Sequence, residues 1–364
     1  MSFKVLKAFL AVFVLVALVR WIFWHGPVQG AEELPLAPIV DLHCHVAGIG
    51  AGDSGCFVSR DMRASWKFRR YLAAFDVDES ELSEHGDAYV FERLAERVQH
   101  SDLVNLAVVL ALDGVVGEDG ELDEEETQVY VPNEFVAREV ARYPQLLYGA
   151  SVNPLRHDAL ERLEQAKAAG AVLVKWLPSI QQFDPADPRL RPFFDKLVEL
   201  ELPLLCHTGD ERSFAGAQDE LADPQRLVPA LDAGVTVIAA HAASSGENDG
   251  EPNLDRLLEM LERYPRLYAD VSALTLVNRR GHLDRVLEEP RLSGRLVYGS
   301  DYPLVSTPLV SAWYFPLHLT VAQIRELGEE DNPFDRDVLL KQALGVPAGV
   351  FARSARLLGI ESGP

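Results

Sequence analysis

The chain reads as an α/β protein built on a (β/α)8 TIM barrel, with an N-terminal hydrophobic segment in front of it. Three observations predict this. Eight short apolar runs recur along the chain. Amphipathic, helix-like stretches lie between them. Residues of metal-ligand or acid/base type close several of the runs: His43 and His45, Lys175, His207, His241 and Asp301. A series of buried strands that each deliver a polar residue at the C-terminal end points to an active site at the mouth of a barrel.

The elements follow in order. Lys4 and Lys7 precede the apolar run Ala8–Val19, and Arg20, Trp21 and Trp24 follow it. Residues 1–24 are therefore expected to be a signal anchor or a signal peptide, with Val28-Gln-Gly30 as a small-residue cleavage site. The apolar run continues into aromatic residues, which favours the anchor: a single-pass membrane protein with an exported catalytic domain. Cleavage would give a secreted or periplasmic protein instead. A linker rich in Gly and Pro is expected over residues 25–36, and the barrel over residues 37–360. Its strands are expected near 38–44, 103–112, 146–152, 171–177, 203–208, 235–241, 266–272 and 295–301. Their runs are apolar without clean alternation, as suits strands buried on both faces of a parallel sheet. Helical periodicity covers Asp158–Ala169, stopped by Gly170, and also Arg191–Leu200 and Leu254–Arg263. Strand–helix alternation implies βα units, and eight of them imply closure. The longest connection, residues 46–102, opens with Gly48-Ile-Gly-Ala-Gly52. It carries Arg60, Arg63, Lys67, Arg69 and Arg70, and it either shapes the pocket or packs outside it. An acidic run, Gly117–Glu126, reads as a solvated loop.

Composition narrows the function. The chain has 364 residues, 48% of them apolar and 25% charged, a globular mix. A net charge of −22 argues against nucleic acid, which needs a basic face. The three cysteines, Cys44, Cys56 and Cys206, form no disulfide framework.

The chemistry sits at the strand ends. Residues i and i+2 of a strand face one side, so His43 and His45 both point into the barrel and can hold one metal ion. His207 and His241 end neighbouring strands and face the same cavity. Asp301 can ligate a metal and exchange a proton with metal-activated water. Lys175 stands at an inward position, where burial favours the neutral amine. It is then open to carboxylation to a metal-bridging carbamate, or it remains an ammonium that pairs with substrate or a carboxylate. Asp210, Glu211, Asn153 and Tyr302 are weaker candidates.

These pieces resemble the amidohydrolase superfamily, in its amidohydrolase-2-like branch of metal-dependent hydrolases. The matching segments are Asp41-Leu-His-Cys-His45, Leu173-Val-Lys-Trp-Leu-Pro178, Phe183–Pro192, Leu205-Cys-His-Thr-Gly-Asp-Glu211, Val237-Ile-Ala-Ala-His241 and Tyr298-Gly-Ser-Asp-Tyr-Pro303. The resemblance implies a divalent metal, often zinc, in one or two ions. By position His43, His45 and His207 look like metal ligands. His241 looks like a second-metal ligand or proton-transfer residue, and Asp301 like a ligand and base. Lys175 falls where binuclear members carry a carboxylated lysine. The branch often reads Lys-Leu-His-Pro there, and this chain has Lys175-Trp-Leu-Pro178, without the histidine.

The expected function is hydrolysis of an amide, lactone or ester-type C–N or C–O bond in a small-molecule substrate. The alternatives are a metal-dependent decarboxylase of an aromatic or unsaturated acid, and a non-catalytic, membrane-attached binding protein on the same scaffold.

Overall fold

The computed structural model describes residues 3–23 and 32–360. Eight strands form one parallel sheet: β1 Ile39–His45, β2 Val104–Leu110, β3 Leu146–Ala150, β4 Leu173–Trp176, β5 Leu204–Cys206, β6 Val237–Ala239, β7 Leu267–Asp270 and β8 Leu296–Val297. Each pairs with its sequence neighbour. The sheet curls until its edges meet. The Leu42 N–H donates to the Tyr298 carbonyl at 3.4 Å and the His45 N–H to the Tyr302 carbonyl at 2.8 Å. Closure removes the exposed edges that an open sheet would carry.

Two apolar layers hold this arrangement. Val40, Leu42, Leu106, Val108, Leu110, Leu173, Leu205, Ile238 and Val297 fill the barrel interior. The opposite faces of the same strands pack on the outer helices, with Val174, Trp176, Leu204, Cys206 and Val237 in that second layer. Burial on both faces is why the runs read as continuously apolar. Helices Ala159–Ala168, Arg191–Glu199 and Asn253–Met260 occupy the stretches with helical periodicity. Gly170, at φ +91°, turns the chain into β4. Residues 46–102 fold into short helices ending with Ala88–Gln99. The Asp87 carboxylate organises their glycine-rich start, accepting from the backbone of Ile49, Gly50 and Ala51 and, at 2.5 Å, from the Ser54 hydroxyl. A Cβ on Gly48 would overlap that carboxylate.

The N-terminal expectation is corrected. Phe3–Phe23 is helical, but among the described residues no helix is long and apolar enough to cross a membrane. The apolar run is confined to the twelve residues between Lys7 and Arg20. At about 1.5 Å per residue it reaches roughly 18 Å, short of the roughly 30 Å hydrocarbon core. The single-pass anchor with an exported catalytic domain is therefore overturned, and with it membrane attachment by a long apolar helix. The cleavage site Val28–Gly30 and most of the linker lie outside the described residues.

Candidate active site

The six residues expected at the strand ends meet at the C-terminal mouth of the barrel, but simple alternation does not take them all there. On β1, Val40 and Leu42 already face the interior, so strict alternation would turn His43 outward. The register against β2 slips between Asp41 and Cys44: Asp41 pairs with Ala107 and Cys44 with Val109. One extra residue on β1 makes a bulge, and the side chains change phase. His43 then points inward while Cys44 joins the outer layer. On β4 and β5 alternation suffices, since Lys175 follows inward Leu173 and His207 follows inward Leu205.

His241 needs a different device. Ile238 and Ala240 face inward, and the backbone then turns left-handed at His241, Ala242 and Ala243, with φ of +57°, +50° and +48°. Asp301 is left-handed too, at +66°. Each such non-glycine residue costs about 1–2 kcal/mol, and such strain collects at functional sites. Local hydrogen bonds hold the His241 turn. Its N–H donates to Asp270 Oδ1 at 2.7 Å, and its Nδ1 lies 2.8 Å from the Ser272 hydroxyl.

Asp270, at the end of β7, is the fully buried hub beneath the site. Its Oδ2 lies 2.8 Å from His43 Nδ1. Its Oδ1 accepts from the His241 and Ser272 backbone and from the Ser272 hydroxyl. With Nδ1 of His43 donating to Asp270, Nε2 presents a bare lone pair to the cavity. Around that nitrogen stand His45 Nε2 at 3.1 Å, Lys175 Nζ at 3.0 Å and Asp301 Oδ1 at 3.5 Å. Asp301 Oδ1 is also 3.4 Å from His45 Nε2. Ligand atoms of His43, His241 and Asp301 all lie within 4.8 Å of one another. His207 stands one ring further, its centroid 5.2 Å from that of His241. Its buried Nε2 has no hydrogen-bond partner, and Glu211 Oε2 is 3.6 Å away.

Charge follows burial. Desolvation, joined by the nearby Lys175, pulls His43 down to about 4. Desolvation also lowers His207 and His241, and it lowers Lys175 against the pull of Asp270 and Asp301. Burial would raise Asp301, but His241, His45 and His43 outweigh it and hold the carboxyl well below its ordinary value. The same contest, won by His43, keeps Asp270 charged. The result is a cluster of neutral imidazoles around carboxylates, the protonation states that metal ligation requires. Converging imidazole nitrogens, an orphaned buried nitrogen on His207 and a charged carboxylate fit a divalent cation.

Four other expectations resolve differently. Asn153 is buried in a network that joins Asp113, Gly114 and Gln181, away from the histidines. Tyr302 packs in the outer layer, stacked on Phe334. Asp210 meets Arg212 near the surface. The basic residues of the first connection face solvent or have other partners: Arg60, Arg63, Arg69 and Arg70 are exposed, Arg63 pairs with Glu79, and Arg70 lies over Trp66. Lys67 donates to the Arg212 carbonyl. Sequence reasoning missed Asp270, Ser272 and Arg279. Asp270 had a signal, because Leu267-Tyr-Ala-Asp270 ends an apolar run as the others do. Arg279, well past β7, had none.

A family model described as Amidohydrolase matches residues 40–331. No curated protein matches the chain. Among solved structures, an uncharacterized TIM-barrel protein from Bordetella bronchiseptica aligns with a TM-score of 0.52 at 18% identity, covering 84% of this chain and 99% of its own. A candidate 2-pyrone-4,6-dicarboxylic acid hydrolase from Pseudomonas putida aligns at 0.50 and 16% identity, covering 90% and 100%. IDCase from Metarhizium anisopliae, in apo form, aligns at 0.51 and 14% identity, covering 90% and 98%. At these identities the likeness is one of fold.

Proposed function

The chain belongs to the amidohydrolase family, and on that premise we propose that it is a metal-dependent hydrolase of a small molecule, cleaving an amide, lactone or ester-type C–N or C–O bond. The observation that carries this reading is that ligand atoms of His43, His241 and Asp301 lie within 4.8 Å of one another, with His45 Nε2 beside His43 Nε2 at 3.1 Å. Mixed imidazole and carboxylate donors suit zinc. His43, His45, His207 and Asp301 are the proposed ligands, with His241 and a carboxylated Lys175 as further ligands if two ions bind. A divalent cation bound there would activate water and polarise the scissile carbonyl.

The chain's own groups do the rest. Asp270 fixes the ring of His43, and Ser272 fixes that of His241. Asp301, charged at neutral pH, accepts the proton of the attacking water at Oδ1 and returns it to the leaving nitrogen or oxygen. His241, neutral and facing the same space, assists that transfer.

The test is elemental analysis of the full chain purified without chelators, followed by hydrolysis assays on a panel of amides, lactones and esters. One or two ions per chain are expected. The reading also expects His43→Ala and Asp301→Ala to lose at least about 100-fold in turnover, the scale of general acid–base catalysis. A metal-free wild type, or variants with full activity, would overturn it. The second reading, a decarboxylase, is favoured by one observation: buried Arg279, bound through Ser244 to the turn that carries His241, suits an acid substrate. Carbon dioxide release without hydrolysis would select it.

A further inference from the structure

Three arginines are buried among the described residues: Arg156, Arg256 and Arg279. Two of them have carboxylate partners that fit the guanidinium fork. Arg156 donates to Asp113 at 2.7 and 2.6 Å, and Arg256 to Asp223 at 3.0 and 2.7 Å. Arg279 differs. Its Nη1 donates to the Ser244 hydroxyl at 2.8 Å, and among the described residues it makes no ion pair with a carboxylate. A guanidinium offers five N–H donors, and a buried cation is costly without a counter-charge. Burial accordingly lowers its proton affinity, with Asp301 and Glu211 opposing from a distance.

The location gives this gap a meaning. Ser244 lies three residues past His241, at the end of the left-handed turn. The hydrogen bond to Ser244 therefore ties the guanidinium to the turn that carries His241, near enough for its charge to act on both His207 and His241. Arg212 is close enough to act on it, and Arg279 and Arg212 both act on His282.

We propose that Arg279, oriented by Ser244, is a specificity residue that anchors a carboxylate group of the substrate beside His207 and His241. The fork geometry matches a carboxylate in two parallel hydrogen bonds, the arrangement that Asp113 and Asp223 supply to the other two buried arginines. The substrate is then an acid whose carboxylate sits apart from the bond that reacts. This inference rests on the reading of the cavity as a small-molecule active site.

The test uses the full chain, stripped of metal, with benzoate as probe and benzamide as its neutral counterpart, both titrated by calorimetry. Without metal, binding of the carboxylate reports on the protein alone. The wild type is expected to bind benzoate at least tenfold more tightly than benzamide. Arg279→Met is expected to erase that preference and Arg279→Lys to keep part of it. Arg212→Met should leave it within about twofold, since that side chain is largely exposed and is not the anchor. Circular dichroism confirms folding, and Arg279→Lys carries the test if Arg279→Met does not fold. Equal binding of the two probes by the wild type, no binding of benzoate, or an unchanged preference in the Arg279 variants would each overturn the proposal. Metal content measured on reloaded samples separates it from the proposed function. A chain that takes no divalent cation yet keeps an Arg279-dependent preference loses the hydrolase reading alone. A chain that takes metal and shows no preference loses only the anion anchor.

Discussion

His43 illustrates how one residue's role is set by its neighbours. Its Nε2 is available only because Asp270 takes up Nδ1 at 2.8 Å. Asp270→Asn keeps the volume but removes the charge that orients the ring. It is expected to weaken zinc affinity about 10–100-fold, the usual effect of losing such an outer partner, with the fold intact by circular dichroism. Competition with a chromophoric chelator reads this directly. The same burial predicts a pH dependence for the metal-free protein. His43 is lowered by desolvation to about 4, and His207 and His241 are lowered by desolvation as well. In the unfolded chain these residues titrate near 6.5. Below that pH the unfolded state takes up protons that the folded state does not, so stability falls as pH drops from 6.5 towards 4. Asp41, raised by burial to about 6, and Asp219 and Asp337, also raised by burial, act in the opposite direction over part of that range, three carboxyls against the four lowered imidazoles that include His282. Urea midpoints measured at pH 7.5 and pH 5 check the sign. A higher midpoint at pH 5 would contradict it.

Between elements, the mouth of the barrel depends on how β8 is seated. Helix Pro333–Ala343 delivers Lys341, whose Nζ donates to the Gly299 carbonyl at 3.0 Å and to Asp337 at 2.5 Å. The Tyr298 hydroxyl donates to the same carboxylate at 3.0 Å. All of these side chains are fully or nearly fully buried. Lys341→Met strands Asp337 without a counter-charge and is expected to cost about 3–5 kcal/mol. Replacing both partners, as Asp337→Leu with Lys341→Met, should recover much of that loss, because an apolar pair leaves no buried charge behind. Chemical denaturation of the two variants measures the difference. A single variant as stable as the wild type would show that the pair does not hold this helix to β8.

Across the whole molecule, the neutral histidines and charged carboxylates gathered at one end of the barrel make it a receptor for a cation that the unfolded chain cannot bind as well. Binding to the folded state alone stabilises by about 2.7 kcal/mol at 100 times Kd. Zinc at that excess is expected to raise the melting temperature by several degrees. His43→Ala should lose most of the shift. A melting temperature indifferent to zinc, manganese and cobalt would contradict a resident metal. The acidic surface, with a net charge of −22, makes nonspecific surface binding of cations a competing source of stabilisation. The His43→Ala comparison separates the two.

Much of this architecture was legible in the order of residues. Continuous apolar runs mark strands buried on both faces, and all eight expected strands overlap the observed ones. The polar residue at the end of several runs marked His43, His45, Lys175, His207, His241 and Asp301, because the end of a buried strand is where a polar side chain can reach the cavity. Three things needed the tertiary structure. The two-residue alternation that places His43 and His45 on one face does not say which face, and the answer came from the bulge between Asp41 and Cys44. The inward turn of His241 depends on left-handed backbone held by Asp270 and Ser272, partners about thirty residues away in sequence. Arg279 carries no local mark at all. Its meaning comes from what does not pair with it, and absence of a partner is a property of three-dimensional neighbourhoods. Periodicity and run length are local and survive in a one-dimensional chain. Phase, strain and unpaired charge are settled by contacts between segments far apart in sequence, which only the closed barrel brings together.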